Sequence, residues 1–155
     1  VLLYVTTNYI CRKQSMPVEY AYNTKFKLSN EKSVSCWLNQ VVVSERRVLG
    51  VLTYAFFNDE DLKKMNIKYL NHDHYTDVIS FNDSSDEKVG GDIAISVDRV
   101  IENATHFNVS FDEELRRVMV HGLLHFLGFN DKTKEDKLKM TQTESLKMKM
   151  FHVEQ

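Results

Sequence analysis

Only one proline and two cysteines occur among the 155 residues of the chain. The cysteines, Cys11 and Cys36, form no C-x-x-C pair, so a disulfide framework and a thiolate metal knot are both excluded, and the two are read as reduced thiols. A basic excess is missing too. Twenty Lys and Arg stand against 22 Asp and Glu, a net charge of -2, so the molecule lacks the overall positive field of many nucleic-acid binders and only a local basic patch is left open. No apolar run approaches the ~18 residues of a membrane span. The apolar start VLLYV has no basic residues ahead of it, and Arg12 and Lys13 follow it, which makes a poor secretory leader. The expectation is a cytoplasmic protein without membrane partners.

What is present is a hydrophobic share of 43% and a charged share of 27%, without repeats or low-complexity segments. That composition suits one ordinary globular domain. Met16-Pro17 opens the first patterned strand, so residues 1–15 are read as an extension outside the fold and 16–155 as a single domain.

Val18 to Tyr22 alternates and reads as a strand. From Ser29 or Asn30 the period changes: Val34, Trp37, Leu38, Val41 and Val42 mark one face of a helix. VLGVLTYAFF (48–57) suits a central strand, and Asn58 caps a helix through Leu70 with Leu62, Met65, Asn66 and Tyr69 on one face. TDVISF (76–81) and GDIAIS (91–96) are strands expected to pair across the polar turn between them. Ser96 caps a helix whose Val97, Val100, Ile101, Ala104 and Phe107 are expected to face inward. Ser110 with Glu113 is a capping-box signature opening the next helix, and a Lys- and Met-rich helix from about Thr133 to Met150 closes the chain. The fold class is α+β: a small mixed sheet of about four strands with about five helices, one central helix carrying the candidate site.

That site is HGLLHFLGFND, residues 121–131. Histidines at i and i+4 put two imidazoles on one helix face, close enough to bind one tetrahedral ion. A straight helix cannot supply a third ligand, but Gly128 favours the left-handed turn that ends a helix, and Asp131 follows it. Three ligands with one open position is the catalytic arrangement of zinc. The bland alternative is two helical histidines bonded to backbone, with Asp131 as a cap. The glycine and the spacing of the third ligand favour the metal.

HGLLHFLGFND resembles the HGxLHLxGyDH signature of the YbeY family of metal-dependent endoribonucleases. NIKYLNHDHYTDVISF (66–81) is similar to that family's N-x-x-Y-R…T-D-V-L-S-F segment, and Gly91-Asp92-Ile93 to its G-D-I strand. Together they cover most of residues 18–150. The resemblance implies single-strand-specific RNA cleavage in ribosomal RNA maturation, at the 3′ end of the small-subunit RNA, and in ribosome quality control. It also implies one divalent metal, zinc foremost, and ribosomal RNA, the ribosome or ribosome-assembly proteins as partners; DNA is not expected. Two positions depart from the family: Asp131 stands where a third His is usual, and Leu70 where an Arg is usual. Carboxylate is an acceptable zinc ligand, but its charge should acidify a bound water less and favour slightly harder metals.

On this reading the metal is held by His121, His125 and Asp131 and activates a water against an RNA phosphate. Gly122 occupies the place where HExxH proteases carry their base, so the proton goes elsewhere, with metal-bound hydroxide itself, a substrate phosphate oxygen, Asp77 and Asp92 as candidates. Arg117, one turn before His121, is the best placed cation for a phosphate, and equally an ion-pair partner of Glu113 or Glu114. Arg116, Lys132, Lys134 and Lys137 are further cations, while His72 and His74 read as solvated loop residues. Two rivals stand beside the nuclease: a small metalloprotease-like hydrolase, and a ribosome assembly factor whose metal is structural.

Overall fold

The structure is a computed structural model that describes residues 17–152. The extension expected over 1–15, with Cys11 in it, lies outside the described residues. Cys36 is disulfide-bonded rather than a reduced thiol, which corrects that expectation for the described cysteine.

The β-branched and aromatic run Val48–Phe57 (β2) is one of two interior strands of the sheet, and its alternate residues Leu52, Tyr54 and Phe56 are all fully buried on one face. Val18–Tyr22 (β1) pairs parallel with it, in register Tyr20 to Tyr54, and Lys88–Ser96 (β4) pairs parallel on its other side, Ile93 to Tyr54. Val78–Asn82 (β3) runs antiparallel to β4, Ser80 opposite Ile93, as the pairing of TDVISF with GDIAIS requires. The order β1-β2-β4-β3 leaves β3 at an edge.

The register slips between Leu49 and Leu52. Two glycines make that possible. A Cβ on Gly90 would run into the Val51 carbonyl, and Gly91 has φ +142 and lies against the Phe81 carbonyl.

Five helices complete the described residues: α1 (Glu31–Ser44), α2 (Asp59–Leu70), α3 (Val97–Phe107), α4 (Phe111–Phe126) and α5 (Lys134–Met148). α1 and α4 join the face of the sheet that carries Leu52, Tyr54, Phe56, Ile93 and Ile95 to form the main core. The opposite face holds a smaller cluster in which Leu62 of α2 meets Ile79 and Ala94. Polar side chains inside the main core find partners: Tyr54 donates its hydroxyl to the Met119 carbonyl at 2.8 Å, and the Trp37 indole N–H donates to the Lys147 carbonyl at 2.8 Å, which ties α1 to α5.

Asn58, Ser96 and Ser110 each cap the helix that follows by accepting a backbone N–H. The full reciprocal capping box sits instead at Thr133–Asp136, opening α5, which ends at Met148 rather than Met150. Ile101 and Phe107 are 53% and 57% exposed, against the expected inward orientation. Only the stripe Val97, Val100 and Ala104 of α3 is buried, because this helix lies at the periphery and meets its neighbours along one line.

Candidate metal centre

α4 is the central helix, and its sequence shows why. Leu115, Val118, Met119, Val120, Leu123, Leu124 and Phe126 are all buried, covering most of its circumference. His121 and His125 occupy the remaining strip, half-buried beside the end of β3. Gly122 faces the sheet, where a Cβ would stand 3.0 Å from Ile93 Cγ2, 3.1 Å from its Cδ1 and 3.2 Å from Ser80 Oγ. The glycine therefore sets how closely α4 approaches the sheet.

The helix ends in a Schellman turn. Gly128, at φ +95, donates its N–H to the His125 carbonyl, and Phe129 donates to the Leu124 carbonyl at 3.0 Å. Reversing the chain here brings Asp131 back over the two imidazoles.

His125 Nε2 lies 3.1 Å from His121 Nε2, and Asp131 Oδ2 lies 3.3 Å from His125 Nε2 and 3.5 Å from His121 Nε2. The far side of each ring is already occupied. His121 Nδ1 faces Glu144 Oε1 at 2.6 Å, and His125 Nδ1 faces the Phe129 carbonyl at 3.0 Å. Both partners accept, so in the neutral imidazoles both Nδ1 atoms carry the proton and both Nε2 lone pairs point inward, with the Asp131 carboxylate, at one spot. Three acceptors converging without a donor repel one another unless a cation lies between them. Ligands at about 2.0–2.1 Å around a tetrahedral zinc stand roughly 3.3 Å apart, and the three observed separations bracket that value. The donor set fits a divalent metal, and among the described residues it is the one such group of three. A carboxylate and a carbonyl behind the two imidazoles are the usual supports of metal-bound histidine.

A cleft of ~430 Å³ opens beside this spot, between α4 and β3. Leu70, Thr76, Asp77, Ser80, Asn82 and Phe126 line it together with His121, His125 and Asp131. Asp77 is held there by the Asn103 side-chain amide at 3.1 Å. Asp92 is not brought in: it pairs opposite Phe81 and, by the alternation of β4, sits exposed on the sheet face opposite Ile93 and the site.

Arg117 is engaged by carboxylates. Its Nε and Nη2 donate to Glu114 at 2.9 and 2.6 Å, Nη1 lies 3.5 Å from Glu144, and Nη2 lies 3.8 Å from Asp77. The Glu114 hydrogen bonds, with the charges of Glu114, Glu144 and Asp77 behind them, raise the guanidinium pKa further above its usual value against the opposing effect of burial. The ion pair with Glu114, one of the two readings of Arg117, is present. Arg116 lies over the Phe151 ring, and Lys132, Lys134 and Lys137 are exposed. His72 and His74 stack on each other, exposed and outside the ligand group.

Sequence reasoning missed Glu144 and Asn103. Glu144 lies one turn after the buried Met140 on a helix with few apolar residues, so its inward face was not marked by periodicity. A lone carboxylate four residues beyond a buried methionine was the available signal.

The sequence profile of the family Endoribonuclease YbeY matches residues 19–152. The chain is 48% identical over 138 residues to the Endoribonuclease YbeY of Flavobacterium johnsoniae, covering 89% of this chain and 99% of that one. With the Endoribonuclease YbeY of Christiangramia forsetii it shares 44% identity over 138 residues, 89% of this chain and 96% of the relative. The solution structure of TM1509 from Thermotoga maritima superposes with a TM-score of 0.61 at 23% identity, covering 86% of this chain and 88% of that chain, a likeness of fold. Since the profile match runs from β1 through α5 and the relatives align along nearly their whole length, the chain belongs to the Endoribonuclease YbeY family.

Proposed function

We propose that the protein is a metal-dependent endoribonuclease of single-stranded RNA, with zinc as the first candidate ion and His121, His125 and Asp131 as its ligands. The observation that carries the reading is the convergence of two Nε2 lone pairs and a carboxylate oxygen at one spot, each imidazole held from behind. When bound, a divalent ion supplies Lewis acidity toward a phosphoryl oxygen and a water of lowered pKa.

The chain's own groups do the rest. Glu144 and the Phe129 carbonyl fix the tautomer and aim of the two imidazoles. Asp77, oriented on the cleft wall by Asn103, takes the proton of the attacking water. Ser80 and Asn82 offer polar contacts along the cleft, while Leu70 and Phe126 supply apolar walls against which an unstacked base can lie. A duplex holds its bases away from such walls, which favours single strands. Family membership supports RNA as substrate, and the role proposed for that cleavage is maturation of the small-subunit ribosomal RNA 3′ end and ribosome quality control. The expected setting is the cytoplasm, with ribosomal RNA and the ribosome or its assembly proteins as partners.

The crowding at Gly122 weighs against the metalloprotease alternative, because a glutamate base at that position would be pressed into the packed sheet. The position of the ligands at the mouth of a cleft weighs against a purely structural metal, which is normally enclosed by four protein ligands.

The test is metal analysis of the purified protein with cleavage of a single-stranded and a duplex RNA, wild type beside His121→Ala. Bound metal and single-strand cleavage in the wild type, both lost in the variant, are expected. Cleavage that survives His121→Ala overturns the assignment of the site.

A further inference from the structure

We propose that Arg117 is a positioning residue for His121, acting through Glu144, and not a contact to the RNA phosphate. The proposal rests on the reading of His121 as a metal ligand. Glu114 is 1% exposed and grips both Nε and Nη2 of the guanidinium, so one edge of the planar group is anchored to a carboxylate shielded from water. The remaining nitrogen, Nη1, faces Glu144 Oε2 at 3.5 Å. The other oxygen of that carboxylate, Oε1, is the partner of His121 Nδ1 at 2.6 Å. Glu144 is itself 5% exposed, and Arg117 is the cation the structure places beside it. The guanidinium thus joins a fixed point on α4 to a carboxylate on α5, and that carboxylate aims the ring.

A planar fork serves this task, since its donors point at two carboxylates in fixed directions, whereas an ammonium is a point charge on a flexible stem. The same commitment argues against phosphate binding. An arriving phosphate would meet a guanidinium whose charge is already balanced by Glu114 and Glu144, and would be repelled by both carboxylates. Arg117 also does not line the cleft that holds the three ligands, although Glu144 and Arg117 together line a separate groove between α4 and α5.

The experiment uses the full chain stripped of metal, titrated with Zn²⁺ against a chromophoric chelator and with Co²⁺ by its visible absorption. Arg117→Met, Glu144→Ala, Glu144→Gln, the double variant Arg117→Met/Glu144→Ala and the control Arg116→Met are compared. Loss of a group that supports a ligand from behind lowers metal affinity by roughly 10–100-fold. Glu144→Ala should fall in that range, Arg117→Met should lose about 10-fold by the same route, and Glu144→Gln, which keeps an oxygen for Nδ1–H, should retain more affinity than Glu144→Ala. The decisive result is the double variant, which should bind no more weakly than Glu144→Ala alone, because the arginine acts only through the carboxylate. Circular dichroism of each metal-free variant checks folding, and Arg117→Lys replaces Arg117→Met if the latter does not fold.

Arg117→Met with wild-type metal affinity and an unchanged Co²⁺ spectrum, or losses that add in the double variant, overturns the proposal. So does a variant that keeps its metal and loses only RNA affinity. If the wild type binds neither ion, the metal reading itself fails and this proposal with it.

Discussion

At position 122 a side chain has nowhere to go, and that fact carries more weight than the missing base. A methyl group there would press on Ile93 and Ser80, and Ile93 is fully buried on an interior strand, so the neighbour cannot yield. Alanine gains about 1 kcal/mol in helix propensity over glycine, while overpacking a rigid core costs about 1–3 kcal/mol. Crowding wins. Gly122→Ala is expected to be destabilised by about 1 kcal/mol, read as a lower urea midpoint with an unchanged slope, and a more stable variant would show that α4 can lift from the sheet. Leu70 has a comparable local meaning. It lines the cleft as an apolar wall, where the family resemblance led one to look for a cation.

Among the elements, α2 and α3 are joined by one ion pair at the sheet's C-terminal end. Arg99 of α3 donates Nε and Nη2 to Asp59 of α2 at 2.8–3.0 Å, and Ser96 donates its hydroxyl to the same carboxylate. Hydrogen bonding from Arg99, followed by that from Ser96, outweighs burial and holds the Asp59 carboxyl below its ordinary pKa. A carboxylate whose folded pKa is depressed contributes in full above the unfolded value of about 3.9 and loses that contribution as pH falls through the lower folded value. Asp59→Asn is therefore expected to lose about 1–2 kcal/mol at pH 7 and to show a smaller deficit near pH 3. Thermal melts at the two pH values measure this, and an equal deficit at both would mean that the charge of Asp59 is irrelevant.

For the whole molecule, the three ligands and their supports come from successive segments of the chain that meet at one place: α4, the turn after it, and α5 through Glu144. A ligand that binds only the folded state stabilises it by about 2.7 kcal/mol at 100 times its dissociation constant. For a chain of this size that corresponds to a rise in Tm of roughly 5–10 °C. Adding Zn²⁺ to metal-free protein should produce that rise, EDTA should reverse it, and His125→Ala should abolish it. A Tm indifferent to both additions would remove the metal from the account.

How much was legible depended on whether a property is local. Strand and helix placement followed from periodicity and caps, since Val48–Phe57, Asn58 and Ser96 announce themselves within a few residues of chain. The pairing of His121 with His125 and the turn at Gly128 were legible for the same reason, because helical spacing and a left-handed glycine fix their geometry nearby. Ile101 and Phe107 were misjudged, since which side of an amphipathic helix is covered depends on neighbours distant in sequence. Asp92 and Asp77 looked equivalent in the sequence; the pleat of β4 and the position of β3 at the sheet edge sent one away from the cleft and the other to its wall. Glu144 and Arg117 could be assigned only once α5 lay beside α4. The sequence alone determined the local geometry of the ligand helix, because that is set by backbone period and residue conformation. The tertiary structure alone decided which buried charges meet behind the ligands, because such contacts join residues 20 or more apart whose meeting depends on the packing of whole helices.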